Sequence, residues 1–229
     1  EMQQLFLKEA GKYHVLPIDD RLFERALAEN VGRPDLMAGR TSLTLAEGMT
    51  GMMENVFINV KNKSKTITAE VEIPSGGAHG TIIAQGGRFG GWSLYMKDGR
   101  PAYDYNFLGL SHATITSTQS LLPGKATIRF DFAYDGGGLG KGGTGTIFVN
   151  GQKVAEGRID RTQPMIFSAD ETADVGIDLG TPVVESVGAE HKSRFTGRIP
   201  KLTIEVRDVS AKADAAVRDA QKEVTRTTE

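Results

Sequence analysis

A period of two, with apolar and polar residues alternating, runs through most of this sequence and limits its fold more than any other feature. The stretches TITAEVEI, residues 66–73, and KATIRFDFAY, residues 125–134, show it most clearly. The apolar members of the first are Ile67, Ala69, Val71 and Ile73. Successive side chains of a strand point to opposite faces, so each stretch predicts a strand with one buried and one solvated face.

Further strand candidates lie between residues 55 and 206, separated by Gly, Pro, Asn and Asp turns. They are VFINV (56–60), GTIIAQ (80–85), WSLYMK (92–97), PAYDYNF (101–107), HATITST (112–118), TIFVN (146–150), KVAEGRI (153–159) and KLTIEV (201–206). Antiparallel sheets with one solvated face have this pattern, and many short strands commonly form two packed sheets. We therefore predict an all-β fold, an antiparallel two-sheet β-sandwich of the lectin-like or jelly-roll type.

Both ends of the chain differ from this region. Residues 1–45 predict a connector with short helices, an apolar turn at 5–10 and an amphipathic helix over DDRLFERALAEN at 19–30. The sandwich is predicted for 46–206. The Ala-, Lys- and Asp-rich segment 207–229 fits a docked helix or a frayed tail, because its apolar face is mostly alanine.

Composition and charge exclude several classes of protein. The 229 residues include no cysteine, which excludes thiol catalysis, cysteine-bound zinc and disulfides. With 27 basic and 29 acidic residues the net charge is −2, and no basic stripe indicates a nucleic-acid partner. No apolar run approaches the roughly 20 residues that span a bilayer. We expect a soluble protein, cytoplasmic or periplasmic, and the helical start at its first residue suggests a piece of a longer chain.

The glycine-rich stretch FDFAYDGGGLGKGGTGTIFVNG, residues 130–151, frames a lysine with glycines as phosphate loops do. In the pattern GxxxxGK[S/T], however, Asp135 stands where the first glycine belongs and Gly142 where the hydroxyl belongs. A phosphate loop also leads into a helix, whereas a strand-like segment follows here. The sequence predicts a long hairpin connection and no nucleotide site.

Several of these stretches together resemble the C-terminal part of large bacterial arylsulfatases of the formylglycine type. They are YHVLPIDDR, GRTSLTL, AQGGRFGGWSLYMKDGRPAYDYN, FAYDGGGLGKGGTGTIFVNGQKVAEGRI and SADETADVGIDLGTPV. The resemblance covers residues 5–206 in the same order and departs at Ile177 and Leu179, where the family has a more polar pair. The Ala-rich tail lies outside it.

The resemblance implies a non-catalytic domain. In this family a [C/S]xPxR motif matures to formylglycine, whose hydrate attacks the sulfate ester beside a calcium ion. The chain has no cysteine, and none of its eight prolines follows a serine by two residues. We therefore expect no catalytic, cofactor-binding or metal-binding residue here, with calcium in an absent catalytic domain. The expected partner is that domain of the same polypeptide, against which this one packs and where it shapes substrate access.

Glu70 and Glu72 suggest a second class of function, since paired carboxylates on one strand face can serve retaining glycosidases. Glu72 stands where an aspartate is needed, and no third carboxylate follows Pro74. A solvated strand face explains the pair as well.

Histidine and aspartate give no metal signature in the sequence. His14, His79, His112 and His191 lack the spacing of ligands. Seven acidic or amide residues suit either calcium or local turns, and turns are the favoured interpretation. They are Asp98, Asp104, Asn106, Asp131, Asp135, Asp174 and Asp178.

The aromatic residues Trp92, Tyr95, Tyr103 and Tyr105 lie on two adjacent strand candidates and form the candidate ligand site. A sugar or an aryl ring can stack on such a face, which makes a carbohydrate-binding lectin-like module the alternative to the arylsulfatase domain. Core packing under the GGRFGGW loop explains the same residues.

Overall fold

The computed structural model describes most of the chain, and its contacts divide the chain into two compact units, residues 1–34 and 35–229. The described residues are 1–18, 34, 36–207, 219 and 223. In the first unit the helix α1 spans Met2–Lys12, longer than the predicted turn at 5–10. The predicted helix at 19–30 and, apart from two isolated positions, the tail after Arg207 lie outside the described residues.

The described part of the second unit forms eleven strands. They are β1 (Ser42–Leu45), β2 (Ser64–Ile73), β3 (Gly80–Gly87), β4 (Gly90–Lys97), β5 (Arg100–Phe107), β6 (Ser111–Thr116), β7 (Gly124–Tyr134), β8 (Lys141–Val149), β9 (Gln152–Arg161), β10 (Ala173–Val175) and β11 (Arg198–Arg207). One sheet has six strands in the order β1-β11-β2-β7-β8-β9, and the other has five in the order β10-β3-β4-β5-β6. Every named pair of neighbours is antiparallel.

The predicted fold class is confirmed: the described chain forms a sandwich of two antiparallel sheets. The alternation in β2 works as expected, because Ile67, Ala69, Val71 and Ile73 are all buried between the sheets. β1 lies inside the predicted connector and pairs with β11. The short strand β10 was not predicted, since three residues are too few to show a period.

One predicted strand is wrong. The segment 56–60, VFINV, overlaps a 3₁₀ turn, Glu54–Val56, at its first residue, and residues 57–60 join no sheet. Its neighbouring residues Phe57 and Ile58 are both buried, so the segment has no solvated face to alternate with. The Glu54 carboxylate accepts a hydrogen bond from the Phe167 backbone N–H at 2.9 Å and holds the turn in place.

The glycine-rich stretch is a hairpin loop, as predicted. It connects β7 to β8, and the Tyr134 hydroxyl closes it by donating to the Gly138 carbonyl at 2.6 Å. The same hydroxyl accepts from the Lys141 backbone N–H at 2.9 Å. The loop is therefore held closed by the side chain of Tyr134, the last residue of β7.

The two sheets approach closely where β6 packs against β8 and β9. Gly145 and Gly157 are paired in register there, and Ile115 of β6 fills the space above them. A Cβ atom on Gly157 would lie 2.8 Å from Cγ1 of Ile115. The glycines therefore make room for an apolar side chain of the opposite sheet.

Candidate functional site

The four aromatic residues of the candidate ligand site lie in the interior. Trp92 and Tyr103 have no exposed surface, and Tyr105 and Tyr95 are 3% and 4% exposed. Tyr103 stacks on Phe130 with ring centroids 3.6 Å apart and lies 6.1 Å from Trp92. These residues therefore pack in the protein interior, as the second interpretation has it. Protein atoms cover the faces of their rings.

Tyr95 packs on the opposite side of the five-stranded sheet from the other three. It belongs to a small cluster with Ala84 and Ala102, which Val183 and Val184 cover. These valines lie in a segment that we call the strap, residues 176–193. The strap thus covers part of the outer face of the five-stranded sheet.

Asp178 anchors the strap. It is 2% exposed, and its Oδ2 accepts a hydrogen bond from the Val183 backbone N–H at 3.0 Å. Its Oδ1 has no hydrogen-bond partner in the described part of the chain. Burial raises the pKa of the Asp178 carboxyl to about 7, and the nearby carboxylates of Asp174 and Glu171 act in the same direction. Asp178 is therefore a buried carboxyl that titrates near neutral pH.

Beside the strap, the outer face carries a polar cluster centred on Asp104. This carboxylate is 3% exposed and accepts hydrogen bonds from Nδ1 of His112 at 2.7 Å and from the Thr114 hydroxyl. Because a carboxylate only accepts, the proton lies on Nδ1, which leaves Nε2 for another partner. The His112 side chain is 42% exposed. The cluster thus presents an oriented imidazole to solvent.

An apolar surface adjoins this cluster. Asn106, opposite His112 in register, donates to the carbonyl of Arg88 at 2.8 Å and accepts from the Gly109 backbone N–H at 2.8 Å. It ties the β3–β4 turn to the β5–β6 turn. Exposed apolar side chains stand on these two turns, which we call the Phe89 surface: Phe89 (73% exposed), Leu108 (40%) and Leu110 (73%).

The glycines of GGRFGG make this turn possible. Gly86 has φ +84°, and a Cβ there would lie 2.2 Å from the carbonyl oxygen of Gly90. A Cβ on Gly91 would lie 2.3 Å from the carbonyl oxygen of Gln85. The two strands therefore approach more closely than side chains allow, and they hold Phe89 on a narrow hairpin.

The other sequence candidates occupy ordinary positions. Glu72 lies 3.5 Å from Arg198 and 4.0 Å from Lys125, while Glu70 is exposed between Lys201 and Thr127 in register. Both carboxylates are on the outer face of the six-stranded sheet. The solvated-face interpretation accounts for them.

The turn interpretation is wrong for four of the seven calcium candidates, because they lie in strands. Asp104 and Asn106 lie in β5, Asp131 in β7 and Asp174 in β10. Among the described residues, no group of three or more His, Asp or Glu side chains could hold a metal ion. Nor does the described part contain a helix that is long and apolar enough to cross a membrane.

Sequence reasoning missed Lys65 and Phe89 as residues of interest, and it named Asp178 only as a calcium or turn candidate. Lys65 was open to prediction, because the period of two that buries Ile67 also directs residue 65 inward. The structure confirms this direction, since Lys65 is 3% exposed. The position of Phe89 depends on the contact between two turns distant in sequence, and no local pattern reports such a contact.

No protein-family model and no curated protein matches this chain. Solved structures of similar fold include the CBM40 of the IT-sialidase from Ruminococcus gnavus, bound to α2,3-sialyllactose. It is 13% identical with a TM-score of 0.48, over 79% of this chain and 96% of that one.

Two further solved structures are similar at about the same level. Domains LG4-5 of the mouse laminin α1 chain are 15% identical with a TM-score of 0.41, over 75% of this chain and 40% of that one. A SAP-like pentraxin from Limulus polyphemus is 15% identical with a TM-score of 0.40, over 72% and 76%. At these identities the similarity concerns the fold and not the function.

Proposed function

We propose that this chain is a carbohydrate-binding lectin-like module whose ligand lies across the Phe89 surface and His112. The observation that carries the proposal is the exposed Phe89 ring beside an oriented histidine. Asn106 donates to the carbonyl of Arg88, which precedes Phe89, and it is paired in register with His112, the partner of Asp104. Sugar sites combine an aromatic face for the C–H groups of the ring with a few oriented polar groups for its hydroxyls. This surface offers both kinds of group.

The polar contribution comes from His112 and from the ion pair of Arg88 with Glu185. Arg88 Nε lies 2.6 Å from the Glu185 carboxylate, and both side chains are more than half exposed. Exposed polar groups of this kind suit hydroxyl recognition, because a ligand can replace the water around them.

Glycan binding by purified protein tests this proposal. We expect binding to a glycan panel, with affinity reduced about 10-fold or more in Phe89→Ala and His112→Ala, the loss of about 1.4 kcal/mol for each. Leu122→Ala removes another apolar side chain, 83% exposed, from the β6–β7 loop and serves as control. Absence of binding across the panel, or equal binding by all variants, contradicts the proposal.

The second candidate function is the non-catalytic C-terminal domain of an arylsulfatase, packed against the catalytic domain. The long glycine-rich blocks that resemble this family support it, and the exposed leucines of the Phe89 surface suit a protein contact. The coding sequence upstream tests it. A [C/S]xPxR block with an aspartate-rich metal site supports this candidate, and an unrelated upstream region contradicts it.

A further inference from the structure

A small cavity opens between the two sheets, in a different part of the molecule from the Phe89 surface. Its volume is about 10 Å³, which is room for about one water-sized particle. The titratable side chains in its lining are those of Lys61, Lys65, Tyr103 and Tyr105. No carboxylate lines it.

Lys65 brings an uncompensated cation to this cavity. Its ammonium lies 4.8 Å from the centroid of the Trp92 ring and 5.8 Å from that of Phe132. Among the described residues it has aromatic partners but no carboxylate. Aromatic faces attract a cation, but they replace only part of its lost hydration, so a buried ammonium without a counterion is costly.

Tyr103 brings an unused hydrogen-bond donor. Its ring is wholly buried, and its hydroxyl has no hydrogen-bond partner within the described residues. The Tyr105 hydroxyl, in contrast, already accepts from the Gln163 backbone N–H at 2.6 Å. The unpartnered Tyr103 hydroxyl and the Lys65 ammonium thus line one cavity, although buried polar groups normally have partners.

The neighbouring charges leave this region positive. The Glu54 carboxylate forms an ion pair with Lys61 and neutralises its charge. Among the described residues, Glu54 forms no ion pair with Lys65. The residual charge is therefore that of Lys65. An acceptor that carries one negative charge would satisfy both the charge and the two donors.

We propose that this cavity binds a single halide-sized anion, chloride in solution, held by the Lys65 ammonium and the Tyr103 hydroxyl. The volume admits one small particle at most and is too small for sulfate or phosphate. The anion supplies the counterion that the protein lacks and accepts the hydrogen bond that the phenol otherwise leaves unmade. This site is separate from the proposed carbohydrate surface and does not depend on it.

Binding should depend on pH. Burial, and then the charge of Lys61, lower the pKa of Lys65 to about 7. The two tyrosines that line the cavity, Tyr103 and Tyr105, have pKa values raised by burial and stay neutral in this range. Because the anion binds the protonated amine, its affinity should fall about 10-fold per pH unit above the pKa of the free site.

Thermal unfolding at pH 6 tests the site in solution, with sodium chloride exchanged for sodium gluconate at constant ionic strength. We expect chloride to raise the Tm of the wild-type protein. Lys65→Met should abolish this rise, whereas Lys125→Met, which removes an 88% exposed lysine, should retain it. Tyr103→Phe keeps the buried ring and should weaken the chloride effect several-fold, which covers the case in which Lys65→Met does not fold.

Crystals soaked in bromide test the location. An anomalous peak between Lys65 and Tyr103 in the wild-type protein, absent in Lys65→Met, supports the site. A cavity that holds water and no bromide, or a Tm that does not respond to chloride at pH 6, overturns it. A chloride effect that persists unchanged in both Lys65→Met and Tyr103→Phe also overturns it.

Discussion

Several side chains in the described part of this protein have buried polar atoms without a hydrogen-bond partner. Ser93 Oγ, Tyr103 Oη and Asp178 Oδ1 are buried without a hydrogen bond among the described residues. Leaving such an atom unpaired costs about 1–3 kcal/mol, so each needs a compensating contact nearby. For Tyr103 the proposed anion is that contact, and for Asp178 a bound proton removes the charge of the carboxylate.

Tyr103→Ala should destabilise the fold by about 3–5 kcal/mol, because it removes a fully buried ring between Trp92 and Phe130. Urea unfolding measures this. Tyr103→Phe removes only the unpaired hydroxyl and should stay within about 1 kcal/mol of wild type. A loss of less than about 1 kcal/mol in Tyr103→Ala would contradict the packing argument.

Asp178 should make stability fall as pH rises from about 4 to 7. The unfolded carboxyl titrates near pH 4, but the folded one titrates near 7, so the folded protein holds a proton that the unfolded chain has released. The contribution of this group to stability is fully present below the pKa of the unfolded chain, and it is lost as the pH rises through the pKa of the folded protein. The slope from this group is at most about 1.4 kcal/mol per pH unit.

Asp178→Asn keeps a neutral acceptor for the Val183 N–H and should flatten the pH profile in that window, as measured by urea unfolding from pH 4 to 8. Asp160→Asn changes a carboxylate that is 91% exposed and is the control. Identical profiles for wild type and Asp178→Asn would show that the pKa of Asp178 is the same in the folded and unfolded states, and would contradict this prediction.

At the scale of strands, the contact between β6 and the six-stranded sheet depends on the absence of side chains at two glycines. Gly145 and Gly157 lie side by side in register under Ile115. A protein interior is close-packed, so a methyl group added there displaces a neighbour. This contact lets the sandwich close at its β6 and β9 edges.

Gly157→Ala should therefore cost about 1–3 kcal/mol, as overpacked sites do. The chemical midpoint of unfolding measures it, with Thr144→Ala on the same hairpin as control. In a double-mutant cycle, Ile115→Ala should relieve part of the cost of Gly157→Ala. Additive losses in the cycle would mean that the two side chains do not compete for this space.

At the scale of the whole molecule, the described chain is a two-sheet sandwich, and its sequence lacks the nucleophile of the arylsulfatases that several of its stretches resemble. We expect no hydrolysis of aryl sulfates by the purified chain, since it has no cysteine and no [S]xPxR motif to mature into formylglycine. Release of p-nitrophenol from p-nitrophenyl sulfate measures this, with an active sulfatase as positive control. Turnover that survives repurification would contradict the proposal of a non-catalytic arylsulfatase domain.

The period of two was enough to predict the sandwich and most strands, because alternation records which face of each strand is buried. It failed at 56–60, where Phe57 and Ile58 are both buried and no ladder forms. It also missed β10, which pairs with β3 over three residues. Short or doubly buried segments carry too little alternation to be recognised.

The sequence by itself determined the fold class, the hairpin nature of the glycine-rich loop and the lack of a sulfatase nucleophile, because these follow from local pattern or from residue types. Only the tertiary structure decided that Trp92 and Tyr103 are buried and Phe89 is exposed, since a face of a strand becomes core or surface only when a second layer covers it. It likewise joined Asp104 to His112 and enclosed Lys65 beside Tyr103. Such pairs lie on different strands, and their contact depends on register and on packing between sheets, which no single stretch of sequence encodes.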